Sequence, residues 1–594
     1  MKWSDVDWAA AEAAVRRIQD RIFRAAKAGD GAKVKNLQKL LVRSRSAKLL
    51  AIRQVTQQNA GRHTPGIDGV VCKTPKDRVT LLESGLELKG YKPKPVRRVY
   101  IPKANGKLRP LGIPTVKDRV MQAVVKLALE PEWEPRFEAN SYGFRPGRCT
   151  MDAIEAIFTA LGQKGSSRWI FDADISGCFD AIAHKPLLTK LPTFTRTIEH
   201  WLKAGSIDMG AWHASEAGTP QGGIASPLLA NIVLDGLERL FEATTKTGKP
   251  IKPSRKKGSN RGVILIRYAD DFVAVAPSKE ALEEHVIPKV EAFLAERGLS
   301  LSQEKTRVTT IDDGFSFLGF KTRKFRDGKL LIRPDKAKVL AHLREIKTYL
   351  DANKQAPAGD VVHELTPVIR GWSTYYRHAC SAKTFSYADH RIWRMLWQWA
   401  KRRHPKKSAA WVKARYFRRT KTRGWNFADA VVPGAFMLPR YYDTKITCHT
   451  KVKGTASPLD PDARPYWEAR RRERLAARTY SKRRQGLLKK QGYACASCGV
   501  PFDPDEDMDM MDEHHTHPRH RGGGDKAENL RLLHRWCHHQ HHQQAGYKTA
   551  EAGAVCRATG TYGSEGAGRR QRPPATRHTA HGTSPWPPGR ARMR

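Results

Sequence analysis

The sequence predicts an α+β protein built from several domains, and three observations carry that prediction. The chain has 594 residues, too many for one hydrophobic core, so three or four domains are expected. Apolar runs at 263–266 and 272–276 enclose Asp270 and Asp271, a pattern that indicates a β-hairpin with two acids at its turn. Near the carboxyl end, residues 490–545 are rich in Cys and His, which is typical of a small metal-binding module.

The chain is strongly basic, which bears on its partners. Lys and Arg number 107 against 59 Asp and Glu, giving a formal net charge of +48. Such self-repulsion does not suit an enzyme of small metabolites, but it suits a protein that lies along many phosphates and releases their counterions. Six of the nine cysteines stand singly, as in a reducing compartment. We find no secretory signal, no apolar run of about 18 residues and no P-loop, so no membrane partner is expected.

Composition and pattern divide the chain into six segments. In the first segment, Val15, Ile18 and Ile22 recur at helical spacing. The third segment is expected to contain three helices, near 337–352, 361–377 and 387–403. The predicted segments are 1–60, helical and basic; 61–330, mixed strands and helices; 331–405, helical; 406–489, a basic DNA-binding or linking region; 490–545, the Cys/His module; and 546–594, a disordered basic tail.

Paired acids on a rigid hairpin can hold two divalent metal ions, provided that a third carboxylate joins them. The best candidate is Asp174, which ends a short predicted strand. Asp172 lies on the same face of that strand by alternation and remains the competing choice. Two simpler interpretations stay open: Asp270 and Asp271 form an exposed acidic turn, and Asp174 or Asp180 caps the following helix.

Several sequence blocks resemble, in order, those of the group II intron-encoded reverse transcriptase/maturases. Residues 174–180 read Asp-Ile-x-x-x-Phe-Asp, and residues 268–271 read Tyr-Ala-Asp-Asp. The other matching blocks lie at 64–69, 101–103, 108–114, 141–146, 218–223, 303–306, 317–320 and 371–377. The resemblance covers about 61–410. It implies a right-hand polymerase with fingers and palm in 61–330 and an α-helical thumb with the maturase X domain in 331–405.

The resemblance also implies the residues of the polymerase site. Two Mg²⁺ ions would be held at Asp174, Ile175, Asp270 and Asp271. The incoming dNTP would be contacted by Lys103, Arg109, Phe179, Gln221 and Lys305. In these roles Lys103 and Arg109 clasp the triphosphate from a hairpin, Phe179 excludes a 2′-hydroxyl, and Lys305 protonates the leaving pyrophosphate. The alternatives are solvated cations for the three basic residues and a core position for Phe179.

Four residues near the carboxyl end have the spacing of a tetrahedral structural zinc site. They are Cys495-x-x-Cys498 followed by His534-x-x-Cys537. With the histidines between and after them, this segment is similar to the HNH (ββα-metal) nuclease module that many group II intron proteins carry. His534 stands where that module commonly has Cys. A zinc-folded DNA-binding knuckle without cleavage is the alternative.

The resemblance to HNH nucleases implies catalytic roles for a second set of residues. His515 would be the general base on water, and Asn529 would orient that base. A divalent metal ion would be held by His514, His538 and His542. Thr516 replaces the apolar residue expected after the His pair. The neighbouring candidates for these roles are His517, His520, His539 and His541.

Taken together, these resemblances imply a multifunctional retroelement protein. It would bind its intron RNA and assist splicing, nick a DNA target, and copy the RNA into cDNA from the nick. The expected partners are intron RNA, target DNA and dNTPs, and a homodimer is allowed. The expected location is the bacterial cytoplasm, with nucleoid association as a ribonucleoprotein. Two alternatives are a retron or other defence reverse transcriptase and a splicing maturase whose polymerase and nuclease are inactive.

Overall fold

A computed structural model describes residues 1–102, 106, 108–163, 165–241, 262–420, 423–429, 436–479, 481–504 and 511–544. Lys103 and the predicted tail 546–594 lie outside the described residues. The α-helices of the described ranges are α1 (Trp8–Lys27), α2 (Gly31–Arg43), α3 (Arg45–Arg53), α4 (Pro75–Glu83), α5 (Val116–Trp133), α6 (Thr150–Leu161), α7 (Cys178–Ala181), α8 (His184–Lys190), α9 (Thr195–Leu202), α10 (Ser226–Leu234), α11 (Ile287–Ala295), α12 (Lys336–Ala352), α13 (Ala358–Tyr376), α14 (Ala382–Arg403), α15 (Ala409–Tyr416), α16 (Arg464–Arg478), α17 (Lys482–Lys490) and α18 (Arg535–Gln544).

The β-strands of the described ranges are β1 (Val96–Pro102), β2 (Leu108–Ile113), β3 (Trp169–Asp174), β4 (Ser206–Asp208), β5 (Ala211–His213), β6 (Ile264–Tyr268), β7 (Asp271–Ala276), β8 (Arg307–Thr310), β9 (Phe315–Phe317), β10 (Phe320–Lys324), β11 (Leu330–Pro334), β12 (Phe417–Thr420), β13 (Arg423–Phe427), β14 (Met511–His515) and β15 (Leu530–His534). Short 3₁₀ or π turns occupy Trp3–Asp5, Gln54–Gln58, Ala60–His63, Glu238–Phe241, Ala281–Val286, Tyr441–Asp443, Pro461–Ala463, Arg519–Arg521 and Ala527–Asn529.

The amino-terminal segment forms the three helices α1, α2 and α3. Asp7 and Asp30 begin α1 and α2, because each carboxylate accepts a hydrogen bond from a main-chain N–H three residues later. The apolar faces of these helices are buried against α5, as helical spacing of the apolar residues predicts. The buried residues include Val15, Ile22, Leu37 and Leu41.

Two four-stranded sheets lie between residues 96 and 310. The first has the order β2-β1-β4-β5, in which β1 and β4 pair in parallel. The second, the acidic sheet, has the order β6-β7-β3-β8 and is antiparallel throughout. One face of the acidic sheet packs in a core with α5, α10 and α11, and the other packs in a second core with α6, α12, α13 and α14. The sheet is therefore held between two cores, which fixes the strand ends where the acids lie.

Residues 315–403 form a small sheet and three long helices. The sheet has the order β11-β10-β9, and Asp335 then begins α12 by accepting hydrogen bonds from the N–H groups of Ala337 and Lys338. The helices lie where the sequence predicts them, although α13 and α14 begin three and five residues earlier than expected. Phe385, buried in the first turn of α14, accounts for the longer helix because it packs in the same core.

The segment expected to bind DNA or to act as a linker is anchored to the rest of the protein. The fully buried Asp152 of α6 accepts hydrogen bonds from His449 Nε2 (2.8 Å), Val452 N (2.9 Å) and Arg470 Nη2 (3.1 Å). Arg148 also donates to the main-chain oxygen of Gly454 (2.8 Å). Residues 449–470 are thus fastened to the body that carries the acidic sheet.

The carboxyl-terminal segment forms a ββα unit with its own core. β14 and β15 pair antiparallel, α18 follows directly, and α17 packs beside them. The core includes Leu488, Phe502, Leu532 and Trp536. No helix within the described ranges has the length and apolar character that crossing a membrane requires.

Candidate active sites

The turn between β6 and β7 brings together acids from two distant parts of the chain. Tyr268 pairs with Asp271, which leaves Ala269 and Asp270 at the turn. On the other side of β7, Asp271 lies directly opposite Asp174 of β3. The Asp174 and Asp271 carboxyls share a hydrogen bond, and Asp174 and Asp270 interact through their charges. The predicted convergence of three acidic residues is present.

Burial and mutual repulsion make this cluster favourable for cations. Burial raises the pKa of Asp270, and the charge of Asp174 raises it further. Burial also raises the pKa of Asp271, together with its hydrogen bond to Asp174 and the charge of Asp270. Carboxylates held so close are electrostatically unfavourable alone, and oxygen ligands of this kind are what Mg²⁺ prefers. The residues present therefore fit the expected magnesium site.

Strand register separates the two candidates for the third carboxylate. Asp172 shares a face with Asp174 but lies opposite Val273, two residues along β7 from Asp271. Burial raises the pKa of Asp172 to about 6, which its neighbour Arg307 partly opposes. Asp174, at the strand end, is the one placed against Asp271. The side chain of Ile175 is buried in the core, so only its main-chain oxygen is available to an ion.

Lys305 and Arg109 bring positive charge to the acids. Lys305 Nζ lies 2.5 Å from Asp174 Oδ2, and this hydrogen bond raises the pKa of Lys305. Arg109 is exposed on β2, opposite Ile101 of β1, and its charge favours the ionised form of Asp270. The β1–β2 hairpin is therefore close enough to the acids to contact a ligand bound there.

The loop at 219–223 lies against β2. Gly112 N donates to Gln221 O (2.9 Å), and Gln221 Nε2 donates to Asp180 Oδ2 (3.1 Å). Gly222 has a φ of +132°, and a Cβ there would lie 2.7 Å from Gly112 O. Glycine is required at this position because both the backbone conformation and the close approach exclude a side chain.

Phe179 lies half-buried in the same region, directly before Asp180. Its ring packs edge-on against Phe144, with 6.0 Å between ring centroids, and contacts the first core. Both interpretations of Phe179 are compatible with this position, because one side of the ring packs in the protein while the residue keeps partial exposure.

Arg267 is a structural residue of the site that the sequence analysis did not assign. Its guanidinium is fully buried and donates to Asn231 Oδ1 (3.0 Å), Ala269 O (3.1 Å) and Ser141 Oγ (2.8 Å). These bonds hold the turn that carries Asp270. The available signal was a lone arginine inside an otherwise apolar strand, which requires buried partners.

The predicted zinc residues converge in the carboxyl-terminal unit. The ligand atoms of Cys495, Cys498, His534 and Cys537 all lie within 4.8 Å of one another. His534 Nδ1 is 3.4 Å from Cys498 Sγ, and its main-chain N–H donates to Cys495 Sγ (3.4 Å). Hydrogen bonds from Cys498 and Cys537 lower the pKa of Cys495, which favours a thiolate. Three sulfurs and one imidazole in this arrangement fit a structural zinc ion.

A second cluster joins β14 to α18. The ring nitrogens of His514, His538 and His542 lie within 4.8 Å of one another, and His538 Nε2 is 2.9 Å from His542 Nε2. On its other side, His538 Nδ1 bonds Asp512 Oδ2 (3.1 Å), so a carboxylate orients the imidazole as in many metal sites. Burial lowers the pKa of His514 to about 4, which keeps this ring neutral near pH 7. The three residues fit a divalent metal ion.

The expected base, His515, and its expected orienting residue, Asn529, form hydrogen bonds with different partners. His515 Nε2 lies 2.7 Å from Asp525 Oδ1. Asn529 instead bonds Thr516 Oγ1 (2.8 Å), His517 N and O (2.7 and 2.9 Å) and Gly524 O (2.8 Å). Asn529 therefore fixes the loop after the His pair, while Asp525 holds the His515 ring. Asp525 was not predicted; the signal was an acid directly after Gly522–Gly524.

Comparison with known protein families gives matches to four parts of the chain. Residues 3–84 match the N-terminal domain of reverse transcriptase, and residues 101–322 match the reverse transcriptase (RNA-dependent DNA polymerase) family. Residues 339–417 match the group II intron maturase-specific domain. Residues 495–544 match the HNH endonuclease family.

Similar proteins point the same way. Protein YkfC of Escherichia coli (strain K12) is 36% identical over 297 residues, which are 45% of this chain and 78% of YkfC. The group II intron-encoded protein LtrA of Lactococcus lactis subsp. cremoris is 32% identical over 328 residues, 46% of this chain and 54% of LtrA. An uncharacterized 91 kDa protein in the cob intron of Schizosaccharomyces pombe is 27% identical over 417 residues, 58% of this chain and 51% of that protein. The chain thus spans about half the length of the last two.

A reverse transcriptase domain has the palm-and-fingers fold of nucleic acid polymerases, and the mixed α/β architecture agrees with it. The chain belongs to the family of group II intron-encoded proteins. It is a multifunctional member that combines the domains of an RNA-directed DNA polymerase, a maturase and an HNH endonuclease. The maturase and HNH domains distinguish it from the retron alternative.

Proposed function

We propose that this protein copies its intron RNA into cDNA at a DNA target that it nicks itself, and that it assists the splicing of that RNA. The observation that carries the polymerase proposal is the pairing of Asp174 with Asp271 beside Asp270. Intron RNA, target DNA and dNTPs are the proposed partners. A homodimer and a nucleoid-associated ribonucleoprotein in the bacterial cytoplasm remain predictions.

In the proposed polymerase site, two Mg²⁺ ions would be held by Asp174, Asp270, Asp271 and the main-chain oxygen of Ile175. When bound, the ions activate the primer 3′-hydroxyl and stabilise charge on the leaving pyrophosphate. Lys305 pairs with Asp174 in the structure described, and its ammonium would be the proton donor to the leaving pyrophosphate. The raised pKa of Lys305 makes it a weak acid while that pair persists.

The proposed nucleotide site lies between the β1–β2 hairpin and the loop at 219–223. Arg109, together with Lys103, binds the triphosphate as a charge-assisted hydrogen-bond donor. Gln221 and Gly222 would lie against the base pair that the incoming nucleotide forms. Phe179 excludes the 2′-hydroxyl of a ribonucleotide by occupying the space that it needs.

We assign α12, α13 and α14 to the thumb and maturase region that grips RNA. Support comes from α14, where Trp399 is buried while Arg391, Arg394, Lys401 and Arg402 are exposed. Exposed cations along one helix suit contacts to phosphates, which position a nucleic acid without reading its sequence.

The carboxyl-terminal unit is proposed to be a zinc-stabilised ββα-metal nuclease. Cys495, Cys498, His534 and Cys537 would hold structural zinc, and His514, His538 and His542 a divalent ion. His515 would accept a proton from the attacking water, and Asp525 keeps its ring oriented. Asn529 holds the loop between His515 and Asp525 through its hydrogen bonds.

A paired experiment on the full-length protein tests both active sites. We expect Asp270→Asn to abolish dNTP incorporation on a primed RNA template while DNA nicking persists, because only the polymerase cluster loses a ligand. His515→Ala should abolish nicking and leave incorporation intact.

Incorporation that survives Asp270→Asn would reject the acidic cluster as the polymerase site. Nicking that survives His515→Ala would instead transfer the role of base to a neighbour such as His541, whose ring centroid lies 4.5 Å from that of His514.

A further inference from the structure

Arg53 at the end of α3 links the two ends of the chain. Its side chain is 1% exposed, which is unusual for an arginine. The guanidinium lies 4.6 Å from the ring centroid of Trp8 in α1 and 5.5 Å from that of Trp536 in α18. Its Nη2 donates to Cys498 Sγ (3.7 Å), one of the proposed zinc ligands. Arg53 thus contacts both the zinc loop, defined here as residues 495–500, and α18, which carries two of the proposed metal-binding histidines.

Other contacts between the amino-terminal segment and the carboxyl-terminal unit lie beside those of Arg53. Gln540 Nε2 of α18 donates to the main-chain oxygen of Ser4 (3.3 Å). A Cβ at Gly499 would lie 3.7 Å from the Cβ of Ala9, which is ordinary van der Waals contact. Cys498 and Val500 pack against the core that contains α1, α3 and α5. The zinc loop and α18 therefore rest together on the amino-terminal helices.

The charges at this surface are complementary. A buried guanidinium is unfavourable unless anionic or aromatic groups compensate it. Glu12 Oε1 lies 3.6 Å from Arg53 Nη1, and the two indoles face the cation. A zinc ion held by three thiolates and one imidazole would carry net negative charge, which the guanidinium beside it would also neutralise.

We propose that this surface is a lasting interface on which the nuclease unit is docked, with Arg53 as the positioning residue of the zinc loop. The inference rests on the function proposed above for the two active sites. Because the amino-terminal helices pack in the core under the acidic sheet, docking keeps the nuclease and polymerase sites at one separation. The 3′ end made by nicking is then released at a constant distance from the site that extends it.

Hydrogen exchange of the full-length, zinc-loaded protein tests the interface. In Arg53→Lys, a point charge replaces a planar group and cannot contact both indoles and the sulfur together. We expect amides of 495–500 and 535–544 to exchange about tenfold faster than in the parent protein. Amides of 169–174 and 271–276 should be unchanged. Arg43→Lys, at an exposed arginine of α2, is the matched control and should leave all of them unchanged.

Gln540→Ala supplies an independent variant on the nuclease side, away from the helix core. It should also accelerate exchange at 535–544 while residues 8–53 stay protected. A coupled assay measures the share of nicks that are extended with dNTPs. That share should fall several-fold in Arg53→Lys, while extension of a pre-formed primer is unchanged.

Unchanged protection at 495–500 and 535–544 in both Arg53→Lys and Gln540→Ala would overturn the interface. Unchanged coupling between nicking and extension, despite faster exchange, would overturn its proposed role. Failure of the underlying function looks different, because the parent protein would then lack nicking or polymerisation while its protection pattern stayed intact.

Discussion

At the scale of single residues, the acids were predictable and their particular partners were not. Asp270 and Asp271 stand out because two charges interrupt an apolar hairpin pattern. Alternation places Asp172 and Asp174 on one face, but only the β3–β7 register puts Asp174 opposite Asp271. Arg267 and Asp525 escaped prediction because their roles depend on hydrogen bonds across the fold.

Gly222 offers a sharp test at this scale. In Gly222→Ala, the new methyl would meet Gly112 O at 2.7 Å, so the loop must move away from β2. Movement of this loop would misplace groups beside the reacting atoms, and a misplacement of about 1 Å is expected to lower dNTP incorporation by about 100-fold. Single-nucleotide extension of a primed RNA template measures the effect.

Gly210→Ala is the matched control, because Gly210 also has a positive φ (+88°) but a Cβ at this position would meet nothing within 4 Å. It shares the backbone cost without the collision. Equal losses in the two variants would contradict the collision with Gly112 O as the cause of the effect at Gly222.

At the scale of secondary-structure elements, the presence of a helix or strand was easier to predict than its first and last residues. The hairpin of β6 and β7 follows directly from its apolar pattern, and α12 begins where Asp335 provides a cap. The starts of α13 and α14 were placed too late, because their first turns carry few apolar residues. The anchoring of 449–470 was not predictable, since Asp152 and Arg470 lie 318 residues apart in the chain.

The chain just before the anchored residues 449–470 should respond to pH through His378. Burial lowers the pKa of this histidine from 6.5 to about 4, and its Nδ1 donates to Thr447 O (2.9 Å). The unfolded state therefore binds a proton below about pH 6.5 that the folded state binds only near pH 4. Stability is lost across this window as the pH falls. From pH 8 to pH 5 the loss attributable to His378 is about 2 kcal/mol.

Urea unfolding of His378→Gln and of the parent protein at both pH values isolates this contribution. Glutamine keeps an N–H donor but does not titrate, so the variant should lose about 2 kcal/mol less than the parent. His363→Gln, at a half-exposed histidine of α13, should follow the parent. Parallel pH dependence in all three proteins would refute the assignment.

At the scale of the whole molecule, the order of motifs predicted the functional parts, but not how they pack. Matching blocks along the chain indicated polymerase, maturase and nuclease regions from local patterns alone. The three hydrophobic cores do not follow those regions simply, because the second core joins the acidic sheet to α12, α13 and α14. The contact between α18 and the amino-terminal helices depends on surface complementarity, which no local pattern encodes.

The separate core of the carboxyl-terminal unit predicts a selective response to zinc removal. Chelation, followed by restoration of Mg²⁺, should unfold 495–544, since a small module of this kind depends on its metal for folding. dNTP incorporation should remain close to the parent level because the acidic sheet lies between the two other cores. Hydrogen exchange and primer extension on the same sample measure both effects.

Cys537→Ser should reproduce the chelated state, because it removes one of the three sulfurs among the four proposed zinc ligands. Cys380→Ser, at an exposed cysteine outside that cluster, should not. Parallel loss of polymerisation in Cys537→Ser would show that the zinc unit supports the polymerase as well.

The turn that carries Asp270 rests directly on backbone. Ala269 has a φ of +58°, and a Cβ at Gly143 would lie 2.3 Å from Ala269 N. At this contact main chain lies against main chain, because Gly143 has no side chain. In the proposed magnesium site, a larger ion such as calcium would therefore have to be accommodated by rotation of the carboxylates. The peptide framework would then favour the smaller cation.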